Sequence, residues 1–222
     1  FAAYSDLGLW EDGYFVIRFA RNFVKHGVYA WNVADGPLYG MTSQTLQLVG
    51  TALYWFAPKH VVLLLKATMS LALVLTLVLL ARMADKLRDS PCAVLPALLG
   101  LSATLVLDSA GTGLETPFAL LAVLGTLYAA LRYRAGDCHP ATLIAMNVLL
   151  YLTRPDAILI QVVVLAIFAL EAPRRYVLVA FMTSILLGLL LVAFRAYYGT
   201  PVPLATYVKT QAKFIARLWV MI

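Results

Sequence analysis

The chain has 222 residues, of which 63% are hydrophobic and only 13% charged, with a formal net charge of +6. A soluble domain needs about 25% charged residues to cover itself, so this composition argues against a water-soluble globule and puts the chain in lipid. The basic excess then speaks of orientation in a membrane, and no basic run interleaved with aromatics points to a nucleic-acid partner.

The chain opens on Phe1, shows no signal-peptide pattern, and closes inside the apolar run FIARLWVMI, so it reads as part of a longer protein. The first element lies within LWEDGYFVIRFARNF. Phe15, Phe19 and Phe23 recur every four residues, Arg18, Arg21, Asn22 and Lys25 take the other side, and Gly27 is placed to end the helix. This predicts a helix over residues 13–26 lying in the membrane interface. Glu11 and Asp12 precede it, where the helix dipole favours carboxylates. A carboxylate there caps the helix or, facing an outward cavity, serves as a general base.

Residues 60–81 are long enough to span a bilayer, with Lys66 the one charge inside. Further apolar runs follow at 92–107, 114–131, 141–153, 157–170 and 176–194. Several are shorter than the ~20 residues an upright span needs, which suggests burial among neighbours or local thinning. With no alternating strand pattern, the expected fold is all-α: a polytopic transmembrane helical bundle with an interfacial amphipathic helix in its first outward loop. Residues 1–59 read as an outward loop with juxtamembrane helices, 60–198 as a six-span bundle, and 199–222 as an outward loop leading into a further membrane segment.

The loops set the orientation. Arg82, Lys86 and Arg88 follow the first span, Arg132 and Arg134 the third, and Arg174 and Arg175 the fifth, whereas the alternate loops carry one basic residue between them. By the positive-inside rule the first set is cytoplasmic. The cysteines, Cys92 and Cys138, fall on that side and read as reduced thiols. The segments WEDGYF, DSAGTGLETP, TRPD and YYGTPVPLATYVKT then share the outer face, which points to a site there.

Each polar element has two readings. Glu115, in GTGLETP, is either a first-turn acid or a functional group facing a shared cavity. Arg154 and Asp156, in LTRPDAIL, form a turn salt bridge, or Arg154 binds an anion such as phosphate through its fork. Lys209 snorkels, or a Pro-containing loop brings it to a phosphate. No P-loop, dinucleotide fingerprint, H-E-x-x-H or G-x-S-x-G occurs, and His26, His60 and His139 read as structural.

Four of these elements, in order, resemble the polytopic GT-C glycosyltransferases, in particular the bacterial arabinofuranosyltransferase-like members. EDGYFVIRFARNF…GPLYGMTSQTLQLV resembles their D-D-A-Y…F-R-Y-A-R-N…T-S signature, and SAGTGLETP their S-G-L-E-T. LTRPDAIL resembles L-T-R-P-E-G, and RAYYGTPVPLATYVK resembles R-x-x-Y-Y-G-x-x-x-P-N-T-x-Y-x-K. Glu11 stands where an aspartate is usual, Asp156 replaces a glutamate, and Leu204–Ala205 replaces an asparagine.

The resemblance implies a hexosyl- or pentosyltransferase of the bacterial inner membrane, its active site facing the periplasm or exterior. The donor it implies is a polyprenyl-phosphate sugar, and the acceptor a glycan, lipid or protein hydroxyl. Asp12 would be the general base beside Glu11. Arg154 and Lys209 would hold the donor phosphate, with Glu115, Arg18, Tyr198 and Asp156 in the substrate pocket. Some members of the family use a divalent cation, for which Glu11, Asp12 and Glu115 are the available carboxylates; the cofactor is left open. The competing reading is a transporter or lipid flippase, which would put charges near mid-span.

Overall fold

The computed structural model describes residues 11–86 and 115–204, with the side chains of residues 11, 12, 85, 86 and 171 outside the description. The run at 92–107, the segment before Glu115 and the tail with Lys209 therefore lie outside the described residues. What is described is helical: α1 (Glu11–His26), α2 (Gln44–Phe56), α3 (Val61–Lys86), α4 (Thr116–Arg134), α5 (Pro140–Thr153), α6 (Ile158–Glu171) and α7 (Pro173–Tyr198). Short 3-10 turns at Val33–Asp35 and Pro155–Ala157 join them.

α1 ends as its sequence dictates. Gly27 adopts φ +74°, a conformation open to glycine at little cost, and its N–H closes the last turn on the Phe23 carbonyl at 2.8 Å. Its buried face is Val16, Ile17, Phe19 and Ala20; Phe15 is 37% exposed. The stripe thus turns away from the expected Phe15–Phe19–Phe23 line, because Phe15 lies on the rim with its ring centroid 4.7 Å from that of Trp31.

α2 falls within residues 1–59, where the sequence suggested juxtamembrane helices without giving this one bounds. Ser43 caps it by accepting from the Leu46 N–H at 3.2 Å, and Gly50 lets it approach α1 so closely that a Cβ there would meet Val16 Cγ1. Gln44, Gln47 and Thr51 are buried on it, at the i, i+3, i+7 spacing of one helix face.

Three of the described helices are long and apolar enough to cross a membrane: residues 61–84, 116–134 and 173–198. α5 and α6 have 14 residues each and rise only about 21 Å, short of a ~30 Å hydrocarbon core. The described part therefore has three helices of spanning length where the sequence suggested more. Long apolar faces stay bare, including Leu71, Val74, Leu75 and Val78 on α3 and Val177, Phe181, Leu189 and Val192 on α7. Surfaces of this extent call for lipid or a partner.

Two packed clusters define the ends of the bundle. At one end Val16, Phe19, Tyr29, Met41, Leu46, Leu65 and Met69 form a core joined by Phe118 and Tyr198. At the other, Ala129, Ala130, Leu143, Val164, Leu165, Tyr176 and Val179 pack together. The first gathers the starts of α3 and α4 and the end of α7; the second gathers the end of α4 with the starts of α5 and α7. Arg132, Arg134, Arg174 and Arg175 belong to the second end, and α1, α2 and the Arg154 turn to the first.

Candidate functional site

At the first end, segments far apart in sequence are tied by specific bonds. The Thr153 hydroxyl, in the last turn of α5, donates to Thr45 Oγ1 in α2 at 2.9 Å. Arg154, the next residue, leaves the helix in an extended conformation, as a residue before proline must. Its Nη1 donates to Glu115 Oε1 at 3.1 Å, while Nε and Nη2 donate to the two Asp156 oxygens at 3.0 and 2.8 Å. Glu115 sits at the α4 N-terminus but makes no capping bond; its carboxylate goes to Arg154 instead.

These pairs differ in depth. Side-chain exposure is 16% for Glu115, 40% for Arg154 and 68% for Asp156. The guanidinium is held above its ordinary pKa, chiefly by the hydrogen bonds to Asp156, with burial opposing and Glu115 adding to the rise. In this arrangement the Arg154 fork is already filled by a carboxylate, the bonding mode it would otherwise offer a phosphate.

Beside this lies an aromatic nest built from the loop before α2 and the end of α7. Tyr39 is 1% exposed, and its ring stacks on Tyr198 with centroids 4.8 Å apart. The Tyr198 hydroxyl accepts from Gln47 Nε2 at 3.3 Å and donates to Gln44 Oε1 at 3.4 Å. Tyr29 bonds Thr51 through its hydroxyl at 3.1 Å, and its N–H donates to the Tyr197 hydroxyl at 3.1 Å. The Leu204 N–H donates to the Tyr39 carbonyl at 2.8 Å, drawing the GTPVPL segment over the nest. Tyr39 Oη has no hydrogen-bond partner among the described residues, and burial pushes its pKa up.

Arg18 lies elsewhere, in a groove on the other face of α1. Its Nε donates to the Trp31 carbonyl at 2.9 Å and Nη2 to Asn32 Oδ1 at 3.0 Å, and its Cζ sits 3.8 Å above the Trp31 ring.

The structure thus joins Glu115, Arg154 and Asp156, puts Tyr198 in the neighbouring nest, and sets Arg18 apart. Glu11 and Asp12 fall in the first turn of α1, their side chains outside the described residues, as is Lys209. Among the described residues no group of three His, Cys, Asp or Glu side chains is placed to hold a metal; Glu115 bonds Arg154, and the side chains of Glu11 and Asp12 lie outside the described residues. Sequence reasoning missed Tyr39, Gln44, Gln47 and Trp31. The signal for the glutamines was their shared helix face with Thr51 behind a Ser cap.

The chain matches no family model, no curated protein and no solved structure.

Proposed function

We propose that this chain is part of a membrane glycosyltransferase that moves a monosaccharide from a polyprenyl-phosphate carrier to an acceptor hydroxyl at the outer face of a bacterial inner membrane. The observation that carries the reading is the joining of four separate elements. TSQT meets LTRPD through Thr45 and Thr153, TRPD meets LET through Arg154 and Glu115, and PLYG meets the YYGTPVPL segment through Tyr39, Tyr198 and Leu204. These are the elements whose sequences resemble the GT-C signatures.

The chemistry follows from charge. Asp12 takes the proton of the acceptor hydroxyl as its oxygen bonds to the anomeric carbon. The bond from that carbon to the phosphate oxygen breaks, and polyprenyl phosphate leaves with one more negative charge. Cationic donors aimed at that oxygen stabilise the transition state. Arg154 can reach it by exchanging partners: Asp156 is mostly exposed, so its pair is screened and weak, while the deeper Glu115 keeps the guanidinium oriented. Lys209 supplies the second cation.

Arg132 and Arg134 in the last turn of α4 and Arg174 and Arg175 in the first turn of α7 flank short connections at the far end of the bundle, which by the positive-inside rule supports reading that end as cytoplasmic. α1 then lies along the outer interface. A transport reading would draw on polar groups inside the bundle, but the buried polar side chains among the described residues of α3–α7 (Thr76, Thr126, Asn147, Thr153, Gln161 and Thr183) are all uncharged.

The test is sugar transfer from a polyprenyl-phosphate donor by the purified protein in nanodiscs. Asp12→Asn is expected to lower transfer by ~10²–10⁴-fold with donor binding little changed. Arg154→Ala is expected to weaken donor binding. Turnover of Asp12→Asn within a few-fold of the parent removes Asp12 from the mechanism.

A further inference from the structure

The groove beside Arg18 carries more positive charge than its own contacts use. Arg18, Arg21, Asn22 and Lys25 stand at i, i+3, i+4 and i+7 on α1 and line one wall of a groove of about 620 Å³. Trp31, Asn32, Val33 and Ala34 form the opposite wall, with Tyr14 and Tyr54 also lining it. The volume falls within the ~300–1,000 Å³ of small-molecule sites.

The walls are braced before any ligand arrives. Arg18 is held flat on Trp31 by the two hydrogen bonds given above, and Asn22 Nδ2 donates to the Ala30 and Trp31 carbonyls at 2.8 and 3.1 Å. Asp35, the acid nearest in sequence to this wall, accepts from Asn32 Nδ2 at 3.0 Å and does not line the groove. Among the described residues no carboxylate pairs with Arg18, Arg21 or Lys25. Three cations therefore converge on one space with no described counter-charge inside it. A phosphodiester, whose single negative charge is shared over two non-bridging oxygens, can accept from the Arg21 guanidinium and the Lys25 ammonium together.

The position of the groove argues for the source of that phosphate. Tyr54 lines it, and the next two residues, Trp55 and Phe56, are 70% and 85% exposed. α3 begins five residues further on and carries Leu63 at 67% exposure in its first turn. Bare aromatics directly before an apolar helix of spanning length are the pattern of a membrane–water boundary. Tyr54 ties one wall of the groove to that boundary segment, which favours a lipid headgroup over a soluble anion as the source.

We propose that the groove between α1 and Trp31–Ala34 is a phosphate-binding site, formed by Arg18, Arg21 and Lys25, that takes the phosphodiester headgroup of an anionic membrane lipid. It is separate from the Arg154 cluster, and the lipid would seat α1 on the bilayer whether or not the chain transfers a sugar.

The test uses the purified full chain in neutral detergent, titrated with phosphatidylglycerol or phosphatidylcholine and followed by native mass spectrometry. Arg21→Gln combined with Lys25→Gln removes two exposed cations that have no ion pair among the described residues. Phosphatidylglycerol binding is expected to fall by roughly 10–30-fold, at about a factor of five per lost interfacial cation. Arg21→Lys combined with Lys25→Arg keeps the charge and is expected to retain most of it. Competition by glycerol 1-phosphate or inorganic phosphate at similar concentrations would assign the site to soluble phosphate, and competition only by diacyl lipid to the headgroup; both support a phosphate site. Equal retention by parent and double Gln variant, or equal binding of phosphatidylcholine, would overturn it. Sugar transfer is read separately, so failure here leaves the glycosyltransferase reading to its own assay.

Discussion

Replacing Arg154 by alanine removes two ion pairs at once, and the structure says they are unequal. Asp156 receives the better geometry, two bonds at 2.8 and 3.0 Å, but is 68% exposed. Water and salt screen such a pair to about 0–1 kcal/mol. Glu115 receives one bond at 3.1 Å but is only 16% exposed. A hydrogen bond to a charged group contributes about 1.5–3 kcal/mol, and the 40% exposure of Arg154 discounts this to about 1–2 kcal/mol. Arg154→Ala is therefore expected to cost about 2 kcal/mol in all, or a fall in Tm of roughly 4–8 °C for a chain of this size. The assay is thermal unfolding of the purified protein at one fixed scan rate, arranged as two double-mutant cycles. One pairs Arg154→Ala with Glu115→Gln, the other with Asp156→Asn. Coupling to Glu115 should exceed coupling to Asp156. If the Asp156 cycle shows the larger energy, burial does not rank these interactions and the reasoning is wrong.

Tyr39→Phe removes a buried hydroxyl with no partner among the described residues, so stability should hold or rise by up to about 1 kcal/mol. Because burial raises the pKa of Tyr39 and of Tyr29, the folded chain keeps protons that the unfolded chain releases above pH ~10. Stability should therefore decline as pH rises past that point, by up to ~1.4 kcal/mol per unit for each tyrosine, and more gently in the Phe variant; denaturant titrations from pH 8 to 11 would show it. Gly50→Ala places a Cβ against Val16 Cγ1, on a β-branched side chain that cannot swing away, and should cost about 1–3 kcal/mol. Gly188→Ala, with nothing within 4 Å of its Cβ position, should instead stabilise by about 0.5–1 kcal/mol. The reverse order in thermal unfolding would contradict the α1–α2 packing.

The sequence revealed what depends on local pattern and hid what depends on distant partners. Unbroken apolar runs located α3, α4, α5, α6 and α7 to within a few residues, and Gly27 marked the end of α1. α2 could not be bounded within the juxtamembrane loop because its buried face carries Gln44, Gln47, Gly50 and Thr51, which break an apolar stripe while serving as hydrogen-bond and close-packing groups. In the site, an arginine beside a proline and an acid suggested anion binding or a turn salt bridge. Only the fold could bring Glu115, 39 residues away, to the same guanidinium. Trp31 was equally hidden: nothing in spacing predicts that a residue 13 positions on will lie under Arg18. These long-range pairings change the functional argument. An arginine read in isolation is a free cation awaiting phosphate, whereas Arg154 is a cation already balanced by two acids. Any anion that binds it must displace the exposed one. Arg21 and Lys25, read from sequence as merely the polar face of a helix, are the cations with no described acid to displace. If both sites act on lipid phosphates, the groove should therefore bind the more tightly at rest, and the Arg154 site should engage only a ligand that compensates for the loss of Asp156.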